Sequence, residues 1–216
     1  MDLTSLRAVL FDIDGTLIDS NYLHVESFMR AFDEVGVEMS TWRVHRAIGL
    51  DSSRLLEELL GDRADEVGDE VKEAHSRLYR ELWPRLRRFD GARELLETLH
   101  GRGIRVVLAT SAPEDELEEL LRVLDCDDVI HATTNGDDVE TAKPEPDILG
   151  VVLERAGVAA DEALMVGDAR WDAVAAGRAG VRMVGVRSGG ISEGELRDAG
   201  ALEVHDDVAA LLRSLS

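Results

Sequence analysis

Apolar residues fall along this chain in two kinds of pattern, short runs typical of buried strands and longer amphipathic stretches typical of helices. The run Ala8–Phe11 is rich in strand formers and is soon followed by Gly15, which predicts a buried parallel strand. From Asp90 onward, helix and strand patterns alternate, which predicts a doubly wound parallel sheet covered by helices on both faces. Later strands are predicted at about 104–109, 129–131, 163–166, 182–186 and 202–204, and helices at about 91–101, 114–124, 145–156, 170–179, 192–199 and 206–214.

The stretch between the first strand and Asp90 is different, because its apolar residues recur at helical spacing without a strand-like run. Leu23, Phe28 and Phe32 share one face of a helix that is predicted to begin after Asp19 or Ser20 and to end near Gly36. Further helices are predicted at about 40–47, 52–60 and 63–83, the second of these capped by Asp51 or Ser52. We therefore predict an α/β core of residues 1–18 and 85–216, with an inserted all-helical domain of residues 19–84.

Two acids follow the first predicted strand at its carboxyl end. Residues two apart on an extended chain point the same way, so Asp12 and Asp14 are expected to address one small volume. Two like charges at that distance need a cation or a shared proton. The structural alternative is a plain turn, since Asp and Gly dominate turns. That alternative weakens because polar partners follow later strands.

The later partners are Thr110 and Ser111, then Lys143 just before a helix, then Asp168 with Asp172. The ends of parallel strands meet at one edge of the sheet, so these groups are expected to converge. Carboxylates suit Mg²⁺, and hydroxyl and amide groups at a helix N-terminus suit phosphate. Helix capping by Asp168 or Thr110 and a solvated Lys143 are the structural alternatives. Lysine is nearly absent among the 24 basic residues, which favours a specific need for an ammonium at 143.

Composition limits the classes of partner and the expected location. The formal net charge of −21 argues against non-specific binding to nucleic acid or to anionic membranes. We find no apolar stretch long enough to span a bilayer and no signal-peptide pattern. Cys126 is the sole cysteine, which excludes an internal disulfide. We expect a soluble cytoplasmic protein.

Four motifs in this order resemble the haloacid dehalogenase superfamily of phosphatases. They are Asp-x-Asp-Gly-Thr at residues 12–16, Thr110 after a strand, Lys143-Pro144, and Gly-Asp-x-x-x-Asp at residues 167–172. The resemblance covers nearly the whole chain and implies a Rossmann-like catalytic core. It also implies that the helical domain is a mobile cap of the family's smaller form.

The resemblance implies chemical roles for the matched residues. Asp12 would attack phosphorus and form an aspartyl phosphate, and Asp14 would act as general acid and then as general base. Thr110 and Lys143 would bind the transferred phosphoryl group, with Ser111 as the alternative residue of the second motif.

The resemblance further implies a Mg²⁺ site. Its ligands would be Asp12, the main-chain carbonyl of Asp14, and Asp168. Asp172 would be a water-mediated ligand or would orient the motif lysine. His24 matches a histidine of the sugar-phosphate branch and is a candidate substrate-binding residue, with a surface histidine as the alternative.

Hydrolysis of a small phosphorylated metabolite, as by a phosphoglycolate phosphatase, is the function we favour from sequence. A mutase of the β-phosphoglucomutase type is the first alternative. Its branch usually has Lys-Asn after the second motif and an Arg near position 52, where this chain has Ala112-Pro113 and Ser52. Asp14 argues against the dehalogenase branch, which lacks the second acid. A non-catalytic phosphoacceptor or binding module is the second alternative, although receiver domains are shorter and lack the helical insertion.

Overall fold

The computed structural model describes residues 5–135 and 145–215, so Lys143 and Pro144 lie outside the described residues. The chain divides into two compact units, one that runs up to Asp19 and resumes at Arg87, and one that spans Ser20–Leu86. The divisions predicted from sequence fell after residues 18 and 84. The assignment of the two units as catalytic core and cap stays a prediction.

The helices and strands follow one another in the alternating order expected from sequence. In chain order they are β1 (Ala8–Phe11), α1 (Asn21–Val35), α2 (Thr41–Ala47), α3 (Ser52–Leu60), α4 (Ala64–Leu82), α5 (Ala92–Gly101), β2 (Arg105–Ala109), α6 (Glu114–Leu124), β3 (Ile130–Thr134), α7 (Asp147–Ala156), β4 (Ala163–Gly167), α8 (Arg170–Arg178), β5 (Arg182–Val186), α9 (Glu193–Asp198), β6 (Glu203–His205) and α10 (Val208–Ser214). None of the helices in the described ranges has both the length and the apolar character that crossing a membrane requires.

The first unit is built on a six-stranded sheet with the spatial order β3-β2-β1-β4-β5-β6. Each pair of neighbouring strands is parallel. This order is that of a doubly wound sheet, in which the direction of winding reverses between β1 and β4 and a crevice opens outside the strand ends at that point. The predicted α/β fold class is confirmed.

The central strands are apolar and buried along their whole length, as expected for a sheet covered on both faces. One apolar cluster joins Leu10, Val107 and Met165 of the strands to Ile148 of α7 and Ala175 of α8. Burial of this kind contributes roughly 25 cal/mol per Å² of apolar surface. The cluster fixes the strands, and with them the residues that follow their carboxyl ends.

Strand β3 is longer than the sequence pattern predicted. It begins at Ile130 and continues to Thr134, whereas the prediction stopped at His131. Pairing with β2 extends through Ala109 and Thr134. Backbone pairing orders residues whose side chains carry no apolar signal, so hydrophobicity alone ended the prediction too early.

The second unit consists of α1 to α4 around its own apolar cluster, which includes Phe28, Phe32, Val44 and Leu56. The predicted face of α1 is therefore confirmed. Asp51 caps α3 by accepting hydrogen bonds from the N–H groups of Ser53 and Arg54. Ser20 occupies the N-cap position of α1, but its side chain makes no capping hydrogen bond. At α3, the structure therefore selects Asp51 from the two predicted caps.

His75 of α4 is buried in the helical unit. Its ring stacks on Phe28 with centroids 3.7 Å apart, and its Nε2 lies 3.3 Å from Nδ1 of His24. Burial, and to a smaller extent the neighbouring His24 ring, lowers the pKa of His75 well below its ordinary value of 6.5. The folded unit therefore holds this imidazole neutral at pH values where the unfolded chain protonates it.

We predict that His75 makes the protein less stable in mild acid. In the unfolded state His75 binds a proton near pH 6.5, whereas in the folded state it stays neutral. The free energy of unfolding is therefore unaffected by His75 above pH 6.5 and falls as the pH drops below that value. His75→Asn should remove this part of the pH dependence, which amounts to at most about 1.4 kcal/mol per pH unit. Denaturant unfolding of both proteins from pH 7 to about pH 5 measures it. His100→Asn, at an exposed position, is the control, and equal slopes for wild type and His75→Asn would contradict the prediction.

Candidate functional site

The carboxyl ends of β1 and β4 lie side by side and place the first acids of the site. Phe11 pairs with Val166, and the N–H of Asp12 donates to the Val166 carbonyl at 3.0 Å. Asp12 therefore lies level with Gly167 and one residue short of Asp168. This is the point where the sheet reverses its winding, where doubly wound proteins bind their ligands.

Asp12, Asp168 and Asp172 form an acidic cluster at this point. Each offers one carboxylate oxygen, and the three oxygens lie within 4.8 Å of one another. The residues are only 8%, 2% and 1% exposed. Like charges this close and this buried require a cation or a proton to compensate them. A set of carboxylate oxygens is what hard divalent cations such as Mg²⁺ and Ca²⁺ prefer, so these residues fit such an ion.

Two hydrogen bonds orient Asp168, which follows β4, and Asp172 in the first turn of α8. The Thr16 hydroxyl donates to Oδ1 of Asp168 at 3.1 Å, and the N–H of Ala169 donates to Oδ2 of Asp172 at 3.0 Å. Asp172 thus caps the first turn of α8 while contributing an oxygen to the cluster. The capping role considered for Asp168 therefore belongs to Asp172. Thr16 was missing from the predicted site, although its place in the Asp-x-Asp-Gly-Thr motif was a signal for it.

Gly167 leaves the space that Asp172 occupies. A Cβ at position 167 would lie 2.5 Å from Oδ2 of Asp172 and 2.7 Å from its Cβ. Both distances are below any real contact, and the base of the Asp172 side chain cannot swing away by a rotamer change alone. The glycine of the fourth motif is therefore required by close packing beneath the acidic cluster.

Asp14 is half-buried in the turn that follows β1. The N–H groups of Thr16, Leu17 and Ile18 all lie within 3.2 Å of the Ile13 carbonyl and donate to it. Gly15 has a φ of 75°, which residues with side chains seldom adopt. Asp14 is not among the three acids whose carboxylate oxygens cluster. The predicted metal contact through the Asp14 carbonyl stays a prediction.

Thr110 is buried directly beyond β2, on the same edge of the sheet. Its hydroxyl oxygen accepts from the N–H of Ala112 at 3.0 Å, which leaves the hydroxyl proton available to an acceptor such as a phosphate oxygen. The Thr134 hydroxyl lies 3.3 Å from the Thr110 carbonyl and donates to it. Ser111 is half-buried beside Thr110. Phosphate binding by Thr110 or Ser111 stays a prediction.

Two further predicted residues are not tested by this geometry. Lys143 lies outside the described residues. His24 lies on α1 of the helical unit, where its ring stacks on Tyr79 with centroids 3.9 Å apart and meets His75. Their roles in substrate binding stay predictions.

The parallel sheet, the acids at its switch point and the helical segment after β1 define an α/β protein with a candidate metal centre. Residues 9–186 match the family model described as haloacid dehalogenase-like hydrolase. The match extends over more than half of the chain, and the chain belongs to this family. The family predicted from the four motifs is thereby confirmed.

Individual relatives agree with this assignment. The chain is 35% identical over 218 residues to a Rhodospirillum rubrum protein named phosphoglycolate phosphatase, covering 95% of this chain and 89% of that one. It is 31% identical to a Thermotoga maritima protein named phosphorylated carbohydrates phosphatase, with 91% and 93% covered. Its structure is similar to that of a hydrolase from Pseudomonas syringae, with a TM-score of 0.91, 36% identity and 97% of both chains covered. The names of these relatives agree with the predicted enzyme class.

We predict that Gly167→Ala destabilises the protein. The added methyl group collides with Asp172, and the displacement of that side chain should lower the free energy of unfolding by about 1–3 kcal/mol. Gly177→Ala in α8 is the matched control, because a Cβ there meets no atom within 4 Å beyond the backbone of its own helix. Equilibrium denaturation should show no loss for this control, since Ala is the better helix former. Equal stabilities for the two variants would refute the packing argument.

Proposed function

We propose that the protein is a Mg²⁺-dependent phosphomonoester hydrolase that acts on a small phosphorylated metabolite through an aspartyl-phosphate intermediate, as a phosphoglycolate phosphatase does. The observation that carries the proposal is the buried cluster of Asp12, Asp168 and Asp172 at the switch point of the sheet. The names of the Rhodospirillum and Thermotoga relatives support a small phosphate ester as substrate.

The residues that would hold Mg²⁺ are Asp12 and Asp168, together with the main-chain carbonyl of Asp14. Asp172, whose Oδ2 is engaged by the Ala169 N–H, would act through water or orient Lys143. When bound, the ion neutralises carboxylate and phosphoryl charge, so that an anionic nucleophile can approach an anionic substrate.

Asp12 is the proposed nucleophile. One of its carboxylate oxygens forms a bond to phosphorus while the bond from phosphorus to the ester oxygen breaks. Asp14 gives its proton to the departing oxygen, then takes one from a water that attacks the phosphorus of the aspartyl phosphate. Inorganic phosphate leaves, and Asp12 is restored. The position of Asp14 outside the three-acid cluster supports this division of roles, because a proton carrier need not be a metal ligand.

Thr110, Lys143 and, as the alternative of its motif, Ser111 are the proposed ligands of the phosphoryl group. The buried Thr110 hydroxyl supports this role, since its oxygen accepts from the N–H of Ala112 and its proton can still be donated to a phosphate oxygen. We assign substrate selection to the helical unit, with His24 as the candidate contact.

We predict that the wild-type protein, supplied with Mg²⁺, releases inorganic phosphate from phosphoglycolate or from a phosphorylated sugar. Asp12→Asn should lower kcat by about 1,000-fold or more, because an amide is a poor nucleophile. The exposed Asp198 provides the control, and Asp198→Asn should keep wild-type activity. Substantial turnover by Asp12→Asn would remove Asp12 from its role. Isomerisation of a sugar phosphate without phosphate release would instead favour the mutase alternative.

We predict that Asp168→Asn weakens the metal site. Replacing a charged ligand by a neutral amide should raise the Mg²⁺ concentration for half-maximal activity by about tenfold or more. The measurement is a Mg²⁺ titration of phosphate release by wild type and variant, with Asp198→Asn run alongside. A titration curve that does not move would show that Asp168 is not a ligand.

A further inference from the structure

Ser188 joins the end of β5 to the turn that carries Asp14. Its hydroxyl donates to the Gly15 carbonyl at 2.6 Å, although the two residues are 173 positions apart in the chain. In the sheet, β4 lies between β1 and β5, so this hydrogen bond joins the segments that follow two strands that are not neighbours. Ser188 belongs to none of the four motifs that define the proposed site.

The Ser188 hydroxyl donates to a carbonyl that accepts none of the hydrogen bonds within the turn after β1. The internal hydrogen bonds of the turn engage the carbonyls of Ile13 and Ile18. The Gly15 carbonyl belongs to the peptide unit that joins Gly15 to Thr16, and the Thr16 hydroxyl donates to Asp168. Fixing this peptide unit therefore restrains Thr16, which orients Asp168, and also restrains Gly15, the residue that directly follows Asp14.

The segment that carries Ser188 is anchored to β6 through the neighbouring Arg187. The preceding Arg187 donates its N–H to the His205 carbonyl of β6 at 3.0 Å and forms an ion pair of 2.8 Å with Asp206. The following loop closes with the N–H of Gly190 on the Arg187 carbonyl at 3.0 Å. The hydroxyl is thus presented to Gly15 from a segment anchored to the edge of the sheet.

We propose that Ser188 is a positioning residue for proton transfer by Asp14, acting through its hydrogen bond to the Gly15 carbonyl. This inference rests on the proposed function, in which Asp14 is the general acid and base. Such a residue affects the chemical step more than substrate binding, because an acid that is misplaced by a fraction of an ångström still permits the ester to bind.

Kinetics of Ser188→Ala and Ser188→Thr test the inference. Ser188→Ala should lower kcat by about tenfold with little change in KM. Ser188→Thr keeps a hydroxyl and should restore most of the activity. Ser214→Ala is the control, because it removes another serine hydroxyl that donates to a carbonyl, that of Leu211 at 2.7 Å, from an exposed position in α10. It should retain wild-type kcat.

Amide hydrogen exchange gives a readout that does not depend on turnover. The peptide that covers residues 13–18 should exchange faster in Ser188→Ala than in wild type or Ser214→Ala, because the turn has lost its outside restraint. Unchanged exchange in that peptide, or a kcat equal to that of Ser214→Ala, would overturn the positioning role. Equal losses of kcat in Ser188→Ala and Ser188→Thr would also overturn it. Failure of the wild type to release phosphate would instead defeat the proposed function.

Discussion

Charge compensation among buried carboxylates is the constraint on which the rest of this structure depends. Asp12, Asp168 and Asp172 bring oxygens within 4.8 Å of one another in a place almost closed to water. Such an arrangement is unfavourable by itself, and it persists only where the fold fixes it and a cation or proton balances it. Three features of the fold hold the acids in place. They are the register of β1 with β4, the hydrogen bond from the Thr16 hydroxyl, and the space that Gly167 leaves for Asp172.

The charge of the whole protein makes local compensation more important. A phosphate ester approaching a chain of net charge −21 meets repulsion that solvent salt screens only beyond about 8–10 Å. Binding must therefore come from groups at the site itself. In our proposal these are the divalent cation, the Thr110 hydroxyl and Lys143, each of which acts at contact distance. The same proposal assigns substrate selection to side chains such as His24.

The sequence predicts the parallel sheet and the alternation of its strands with helices, because buried strands appear as apolar runs. It also predicts the acids of the site, because they directly follow such runs. The periodicity of the sequence did not reveal which residues make hydrogen bonds around those acids, although the place of Thr16 in its motif was a signal. Thr16 and Ser188 act through hydrogen bonds between segments far apart in the chain, and no periodicity records such a pairing. The length of β3 was also missed, since backbone pairing needs no apolar side chain. The sequence analysis considered helix capping for Asp168 as an alternative to a role in the site, whereas in the structure Asp172 caps α8 and also belongs to the acidic cluster.

The most direct test of the central claim is calorimetric titration of the metal-stripped protein with Mg²⁺ in enough potassium chloride to screen the surface acids. We predict saturable binding of one ion per chain that is lost when Asp12 and Asp168 are both changed to Asn, while the double variant stays folded. Absence of saturable binding, or binding that the double variant keeps, would contradict the view that these carboxylates form one metal centre.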